Sequence, residues 1–414
     1  MRQTKQLIPI IFIVFLGFLA VKNFLTEFQA SEISPFSNAL ISLLQNLAAI
    51  GLFLLLFWHI FKSHEPDTTS LKNPARTGWL SFFVISTICI LTVIIVNPRG
   101  LYGIRIFPQL ANALKQEKIQ YFNNLDYDPE LIILGSSRSL TIAPAYIKNS
   151  LGLSTYNFGF SGVRPSELSL LGDLIFADQK KELPHVILFE ISPANITGTE
   201  GINFAEIPIE FLPYMSAQDA AHLILDRYLE LFNMHQFSEA VYVLQYIGGK
   251  PPQTYWEVQP DGYSRFFPPD TLSQALERQL KERQNMEPCE DFDPESDEIL
   301  QKFVSLSDEK NTSIIFYYSP VHPTFKQEYM DISPKYEWCK KIFFDLLIGI
   351  DNKSSSIFFV DLSDPATAQL AIDGSGFYDG FHITPANAEK LIDYLAPTIQ
   401  LANQVAEANR EKQP

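Results

Sequence analysis

A serine, an aspartate and a histidine in this 414-residue sequence have the types and spacing that nucleophilic catalysis requires. Ser137 follows a short apolar run, residues 131–134, and the turn-forming Gly135. Far downstream, Asp379 and His382 stand three positions apart. With this spacing, a carboxylate can hold one imidazole nitrogen while the other nitrogen faces a serine hydroxyl. Together they predict a serine nucleophile, its base and the group that orients the base.

The apolar run before Gly135 is predicted to be a buried strand of a parallel sheet. Gly135 permits a sharp turn, so the serines after it lie at the carboxyl end of the strand, where open α/β sheets bind ligands. A helix that starts here offers unpaired backbone N–H groups to a developing oxyanion. The alternative is that Ser136, Ser137 and Ser139 only cap that helix, because serine is a common N-cap residue.

The two motifs resemble the first and last blocks of the SGNH (GDSL-like) hydrolase superfamily. The Gly-Asp-Ser block of that family is similar to residues 135–137, with Ser136 where the family usually has aspartate. This replacement is also found in the branch that includes the teichoic-acid D-alanyl transfer proteins. The resemblance implies that Ser137 is the nucleophile, His382 the general base and Asp379 the residue that fixes the imidazole.

The resemblance also implies groups that would bind the oxyanion. The second block of the family, with its oxyanion-hole glycine, is similar to residues 156–162, where Gly162 is the best match. The third block, normally Gly-x-Asn-Asp, is not present. Residues 189–195 stand in its place, and Asn195 is the candidate side-chain donor.

Three further residues are candidates for contact with a substrate. Arg138 directly follows the predicted nucleophile. His322 lies in the loop after the predicted strand 313–318, at the same sheet edge as Ser137, although a solvent-facing loop histidine is the alternative. Trp256 belongs to an aromatic segment that could line a sugar-binding groove or could instead attach a long loop to its own domain.

Strands alternate with helical patterns over residues 131–405, which predicts a parallel sheet with helices on both faces. The predicted strands are residues 131–134, 154–158, 186–191, 313–318 and 356–362. The family resemblance covers about residues 131–396 and implies a flavodoxin-like, three-layer α/β/α domain. Residues 196–292 break the rhythm, and we interpret them as a long insertion that covers the site and sets its specificity. Residues 406–414 are a predicted polar tail.

Residues 1–98 carry three apolar runs, and we predict a transmembrane helix in each, at about 7–25, 39–61 and 79–96. Each run is near the ~20 residues that a spanning helix needs. A cleaved signal peptide is the alternative for the first run. Lysine and arginine in the flanking loops place the N-terminus in the cytoplasm. The predicted protein is therefore a multi-pass protein of the bacterial cytoplasmic membrane, with a juxtamembrane connector at 99–130 and an extracytoplasmic C-terminal domain.

Composition narrows the classes of ligand. The net charge of −16 opposes nucleic-acid binding, because phosphates require clustered lysine and arginine. We expect no metal and no cofactor, since the sequence has neither a Cys/His cluster with metal spacing nor a glycine-rich phosphate loop. Cys289 and Cys339 are an even pair in the predicted external domain and are compatible with a disulfide. Cys89 is interpreted as a small apolar residue of the third span.

The predicted function is acyl-ester hydrolysis or O-acyl transfer on a cell-envelope polysaccharide or related polymer. Water as the acceptor makes an esterase, and a polymer hydroxyl makes a transferase. The predicted partners are the lipid bilayer, the envelope glycan and, by analogy with the related branch, a multispanning membrane acyltransferase. The competing hypothesis is a catalytically inactive glycan-binding or assembly protein on the same fold, which the missing third block and the long insertion favour.

Overall fold

The computed structural model describes most of the chain from residue 74 onward. The described residues are 74–102, 106–107, 114–177, 181–196, 207–245, 256–268, 270–283, 289 and 297–412. The chain divides into two units. One comprises residues 1–108 and 231–247, and the other comprises residues 109–230 and 248–414.

In the described part of the second unit, five parallel strands form one sheet. They are β1 (Leu131–Gly135), β2 (Thr155–Gly159), β3 (Val186–Ile191), β6 (Ser313–Tyr318) and β7 (Ile357–Asp361), arranged in the order β2-β1-β3-β6-β7. Every residue of the first four is buried. β1, β3 and β6 are largely apolar because helices cover both faces of a parallel sheet. The predicted parallel sheet is confirmed.

The side chains of alternate strand residues belong to two separate hydrophobic cores, one on each face. Ile132 and Leu134 pack in one core, and Leu131 and Ile133 in the other. The first core is covered by α2 (Leu114–Asn123), α4 (Pro165–Ala177), α8 (Glu298–Lys310) and α9 (Pro334–Asp351). The second is covered by α3 (Pro144–Leu151) and the long α10 (Pro385–Glu411). The result is a three-layer α/β/α arrangement.

Between β3 and β6 the chain forms elements that do not join the main sheet. They are α5 (Ala217–Leu229), the hairpin strands β4 (Trp256–Val258) and β5 (Ser264–Phe266), and α7 (Leu272–Glu282) in this unit, with α6 (Met234–Leu244) in the other unit. The hairpin covers the edge of the sheet beside β2. The N–H of Asn157 in β2 donates to the carbonyl of Asp261 at 3.0 Å, and the N–H of Ser264 donates to the carbonyl of Leu140 at 3.1 Å.

Helix α2 belongs to the sheet-containing unit and is fixed to it by buried lysines. Nζ of Lys118 donates to the carbonyl of Gly159 at 2.8 Å, and Nζ of Lys115 forms an ion pair with Glu167 at 2.8 Å. Burial lowers the pKa of Lys118 well below its usual value, and the charge of Asp261 opposes this. Two elements of the main domain, the end of β2 and the start of α4, are thereby anchored by one helix.

In the first unit, α1 (Pro74–Val96) packs against α6. The segment that follows α1 continues this packing through polar contacts. Arg99 Nε donates to Glu239 Oε2 at 2.7 Å, and the hydroxyl of Tyr102 contacts Gln236 Oε1 at 3.3 Å.

The predicted transmembrane helices require a correction. Among the residues that the structure describes, no helix is long and apolar enough to cross a membrane. On this finding, two predictions are wrong: the multi-pass localisation and the transmembrane part of the fold class. The predicted spans 7–25 and 39–61 lie outside the described residues. Span 79–96 is part of α1, where Val93 and Val96 are buried by protein. An apolar helix indicates burial, but its sequence does not say whether lipid or protein covers it.

The structure joins Cys289 and Cys339 by a disulfide, with the two Cα atoms 6.5 Å apart. The expected pairing is confirmed. The bond attaches Cys289 to α9, whose Cys339 is fully buried in the first core. Cys89 is the free cysteine of the described residues.

We expect Cys289→Ala to lower the free energy of unfolding by about 4 kcal/mol, because the disulfide closes a loop of 50 residues and so limits the unfolded chain. Urea unfolding of the variant and the oxidised parent measures the difference. Cys89→Ala is the matched control, because Cys89 is a free cysteine. This variant should lose as much stability in reductant as the parent does. If reductant does not alter the stability of the parent, the bond does not contribute in solution.

Candidate active site

The structure brings Ser137, His382 and Asp379 together into one hydrogen-bonded chain. His382 Nε2 lies 2.8 Å from Ser137 Oγ, and His382 Nδ1 lies 2.7 Å from Asp379 Oδ2. The carboxylate accepts the Nδ1 proton, which leaves Nε2 as the acceptor for the serine hydroxyl. This arrangement can remove the proton from Ser137 as its oxygen attacks an electrophile.

The three serines after β1 make different contacts. Ser136 Oγ accepts a hydrogen bond from the N–H of Arg138 at 3.3 Å and caps the short turn Ser137–Ser139. Ser139 is buried, and its hydroxyl donates to the carbonyl of Ser136 at 2.9 Å. Ser137 is the serine whose hydroxyl contacts the imidazole. The capping interpretation therefore holds for Ser136.

Asp379 holds the backbone turn and the imidazole with its two carboxylate oxygens. Oδ1 accepts hydrogen bonds from the N–H groups of Phe381 at 2.8 Å and His382 at 2.9 Å, while Oδ2 contacts the ring. Burial by itself would raise the pKa of Asp379, but the charge of His382 and these hydrogen bonds lower it to about 2. The group is therefore a carboxylate at neutral pH, and it can stabilise a positively charged imidazole.

The loop that carries Asp379 and His382 is fixed by two backbone hydrogen bonds at Gly380. The N–H of His322 donates to the carbonyl of Gly380 at 3.0 Å, and the N–H of Gly380 donates to Gln279 Oε1 of α7 at 2.8 Å. Asn387, at the start of α10, fixes the same loop nearer its beginning. Its side chain donates to the carbonyls of Ala371 at 2.8 Å and Gly376 at 2.9 Å.

His322 is buried within this support and does not face Ser137. Its Nε2 donates to the carbonyl of Ile372 at 2.8 Å, its Nδ1 accepts from the N–H of Thr324 at 3.3 Å, and its ring packs against Phe377. Both nitrogens are used inside the protein. A contact between His322 and substrate stays a prediction, and the geometry instead gives this residue a positioning function.

Glu190 is a site residue to which the sequence analysis assigned no function. It lies at the end of β3, fully buried, and its Oε2 accepts from the N–H of Ser136 at 2.8 Å and from its hydroxyl at 2.6 Å. It thereby fixes the residue directly before Ser137. The available signal was its charge, because a lone carboxylate inside an otherwise apolar buried strand is rare unless it has partners.

Arg138 turns its guanidinium toward Phe381, with Cζ 4.4 Å from the ring centroid. Arg283, which ends α7, approaches the same ring at 5.2 Å. Arg283 and Phe381 carry no local signal in the sequence, since nothing in the chain order connects α7 to the loop before His382.

The remaining predicted residues have less defined positions. Gly162 lies in the turn after β2, exposed and with φ of +58°, and a Cβ there would meet no atom within 4 Å. Asn195 lies in the helical turn Pro193–Ile196 and Trp256 in β4, and the structure does not describe either side chain. The predicted functions of all three stay predictions.

The chain is similar to several solved structures at low identity. It is 14% identical to a protein of Streptococcus pneumonia provisionally named a platelet activating factor, with a TM-score of 0.33 over 69% of this chain and 92% of the other. It is 9% identical to a protein of Bacteroides fragilis provisionally named an acylhydrolase, with a TM-score of 0.33 over 70% and 98%. A carbohydrate acetylesterase family member of Sinorhizobium meliloti is 10% identical, with a TM-score of 0.26 over 66% and 99%.

At these identities and TM-scores, the likeness carries no argument about activity. No family model and no curated protein matches the sequence.

We expect Gly135→Ala to lower the free energy of unfolding by about 2–5 kcal/mol, because it combines a left-handed backbone with a clash. Gly135 has φ of +142°, and its added Cβ would lie 2.5 Å from Glu190 Cβ. Gly152→Ala is the matched control, since Gly152 has φ of +79° but open space around it, and we expect a loss of about 1 kcal/mol. Urea unfolding measures both. Equal losses would show that the contact between β1 and Glu190 is not tight.

The lowered pKa of Asp379 predicts a pH-dependent contribution to stability. Because the pKa falls from 3.8 to about 2 on folding, the unfolded chain binds more protons between these values. The contribution, about 2 kcal/mol, is therefore complete above pH ~4 and is lost as the pH falls toward 2. The stability gap between the parent and Asp379→Asn should narrow over this range in urea unfolding.

Ser150→Ala serves as the control, because the exposed Ser150 carries no titratable group and its hydroxyl donates to the carbonyl of Tyr146. Its stability gap to the parent should change little between pH 4 and pH 2. A gap for Asp379→Asn that stays constant over the same range would contradict the assignment.

Proposed function

We propose that the protein is a serine acyl-ester hydrolase or O-acyltransferase that acts on a cell-envelope polysaccharide or a related acylated polymer. The observation that carries the proposal is the unbroken chain from Ser137 Oγ through His382 to Asp379, with contacts of 2.8 and 2.7 Å. A nucleophile, a base and an orienting carboxylate at these distances are the requirements for acyl transfer through a covalent intermediate.

The first half-reaction acylates the serine. His382 Nε2 takes the hydroxyl proton as Ser137 Oγ forms a bond to the acyl carbonyl carbon. Asp379 stabilises the charged imidazole that results. The tetrahedral intermediate then collapses, the bond to the leaving oxygen breaks, and His382 returns the proton to that oxygen.

The second half-reaction transfers the acyl group from Ser137. His382 removes a proton from the acceptor hydroxyl, the acceptor oxygen bonds to the acyl carbon, and the bond to Ser137 Oγ breaks as the serine regains its proton. Water as acceptor completes hydrolysis, and a polymer hydroxyl completes transfer. In the transfer reaction, a partner acyltransferase would supply the acyl group.

The backbone N–H groups of Ser137 and Gly162 are the proposed donors to the oxyanion. In the described part of the chain, the N–H groups of Ser137 and Gly162 donate to no acceptor. A donor of this kind that is aimed at the developing charge contributes about 3 kcal/mol to transition-state stabilisation. The open turn at Gly162 is compatible with a bulky polymer approaching the same point.

Aromatic side chains beside the site support a carbohydrate or similar polymer. Tyr378 directly precedes Asp379, and its ring packs edge-on against Phe266 of the hairpin at 5.2 Å. Tyr263 lies in the same hairpin and, like Tyr378 and Phe266, is partly exposed. Rings with polar neighbours suit the mixed apolar and hydroxylated faces of sugars.

We expect Ser137→Ala and His382→Ala each to abolish most ester hydrolysis, and the double variant to lose little more. Residues that act as one unit have non-additive effects on kcat. Asp379→Asn should reduce kcat less than Ser137→Ala, because the imidazole remains while its tautomer and charge support are lost. Initial rates on an aryl acetate, together with labelling by a fluorophosphonate probe, measure these effects.

Ser150→Ala is the matched control, since Ser150 is exposed on α3 and its hydroxyl bonds only to the carbonyl of Tyr146. It should keep both labelling and rate. If Ser137→Ala also keeps them, the chemistry lies elsewhere, and the binding-protein hypothesis is favoured over the enzyme.

A further inference from the structure

Two guanidinium groups contact one phenylalanine beside the catalytic chain. The Cζ atom of Arg138 lies 4.4 Å from the ring centroid of Phe381, and that of Arg283 lies 5.2 Å from it. Their separation therefore cannot exceed the sum of these two distances. Arg138 directly follows Ser137 in the chain, and Phe381 directly precedes His382. Two positive charges thus meet at the residue that directly precedes the predicted base in the chain.

Neither arginine has an acidic partner among the described residues. Arg138 and Arg283 form no ion pair there, and Nη1 of Arg138 is buried without a hydrogen-bond acceptor. Arg278, one turn earlier in α7, differs because it pairs with Asp270 at 2.8 Å. Among the described residues, no carboxylate therefore pairs with the guanidinium groups beside Phe381.

The buried carboxylate near these arginines is turned to another partner. Glu190 uses its Oε2 to accept two hydrogen bonds from Ser136. The charges of Glu190 and Arg138 both affect the buried hydroxyl of Tyr317. Burial and the charge of Glu190 raise the pKa of this hydroxyl, and the charge of Arg138 opposes the rise. The two charges are thus in the same region of the protein.

Phe381 holds the two arginines on a fixed surface. Its ring packs against Phe325 with the centroids 4.5 Å apart, and only 8% of the residue is exposed. A cation over an aromatic face is attracted by the ring and loses part of its freedom before any ligand arrives. Guanidinium groups ordered in this way match the planar geometry of carboxylate and phosphate oxygens.

We infer that Arg138 and Arg283 bind an anionic group, a carboxylate or a phosphate, carried by the substrate close to its acyl ester. This inference rests on the proposed function, because it names the substrate class of the same site. The net charge of −16 repels anions at long range, so an anionic substrate requires a local cationic pair to be recognised. The polymer would then carry its acyl groups on anionic units.

Three acetyl esters that differ at one position test the inference. The probes are acetylated glucose, acetylated glucuronate and acetylated glucose 6-phosphate, which are neutral, carboxylate-bearing and phosphate-bearing. We expect the parent protein to hydrolyse at least one anionic ester with kcat/KM about tenfold above the neutral ester, through a lower KM. The advantage should shrink as salt is added, and the favoured anion shows which oxygen group the arginines bind.

Arg283→Met and Arg138→Met should each reduce the ratio of anionic to neutral kcat/KM about tenfold, while Arg138→Lys should lie between Arg138→Met and the parent. Arg278→Met is the matched control, because it removes an arginine of the same helix that is already paired, and it should keep the parent's ratio. Urea unfolding shows whether each variant is folded. If Arg138→Met fails to fold, Arg283→Met still provides the test.

The outcomes separate this inference from the proposed function. Equal kcat/KM for all three esters, or a ratio that survives both arginine variants, overturns the anionic substrate and leaves the esterase intact. If no ester is hydrolysed, the proposed function fails, and calorimetry with acetylated glucuronate and acetylated glucose 6-phosphate on the parent decides the rest. Binding that Arg283→Met weakens would support the anion site, and no binding would overturn it.

Discussion

The carboxylate of Asp379 is the interaction on which the site depends, because its two oxygens perform two different tasks. One oxygen accepts two backbone N–H groups and so shapes the turn before His382. The other holds the imidazole in the tautomer that presents a bare nitrogen to Ser137. A group that fixes both the backbone and the ring position removes two sources of freedom at once, and the short spacing between Asp379 and His382 makes this possible.

The support for Ser137 comes from a different strand. Glu190 at the end of β3 holds Ser136 at the end of β1, and Gly135 allows the two strand ends to approach closely. On the other side, Gln279 of α7 and His322 hold Gly380 through its backbone. The two halves of the catalytic chain are therefore fixed separately, each to the rigid sheet or to helices and turns packed on it. Fixing both sides in this way keeps the nucleophile and the base at hydrogen-bonding distance.

The fold and the central residues could be predicted from local pattern. The strands β1, β3 and β6 were readable as short, largely apolar runs, because a strand buried on both faces needs few polar residues. Ser137 could be predicted because it follows an apolar run and the turn at Gly135. Asp379 and His382 could be predicted from their three-residue spacing. The membrane prediction failed because hydropathy reports burial alone, and the end of α1 is buried by protein. His322 was predicted from its sheet edge, but the edge does not specify which way a ring turns.

The sequence by itself determined that a parallel α/β sheet would form and that a serine, a histidine and an aspartate would follow its strands. Only the tertiary structure decided which side chains surround them. Glu190, Gln279 and Arg283 meet the catalytic loop across long stretches of chain, and no local spacing encodes those contacts. Periodicity is a property of neighbouring residues, so it is written in the sequence. Convergence is a property of packing, and it exists only once the helices have closed over the sheet.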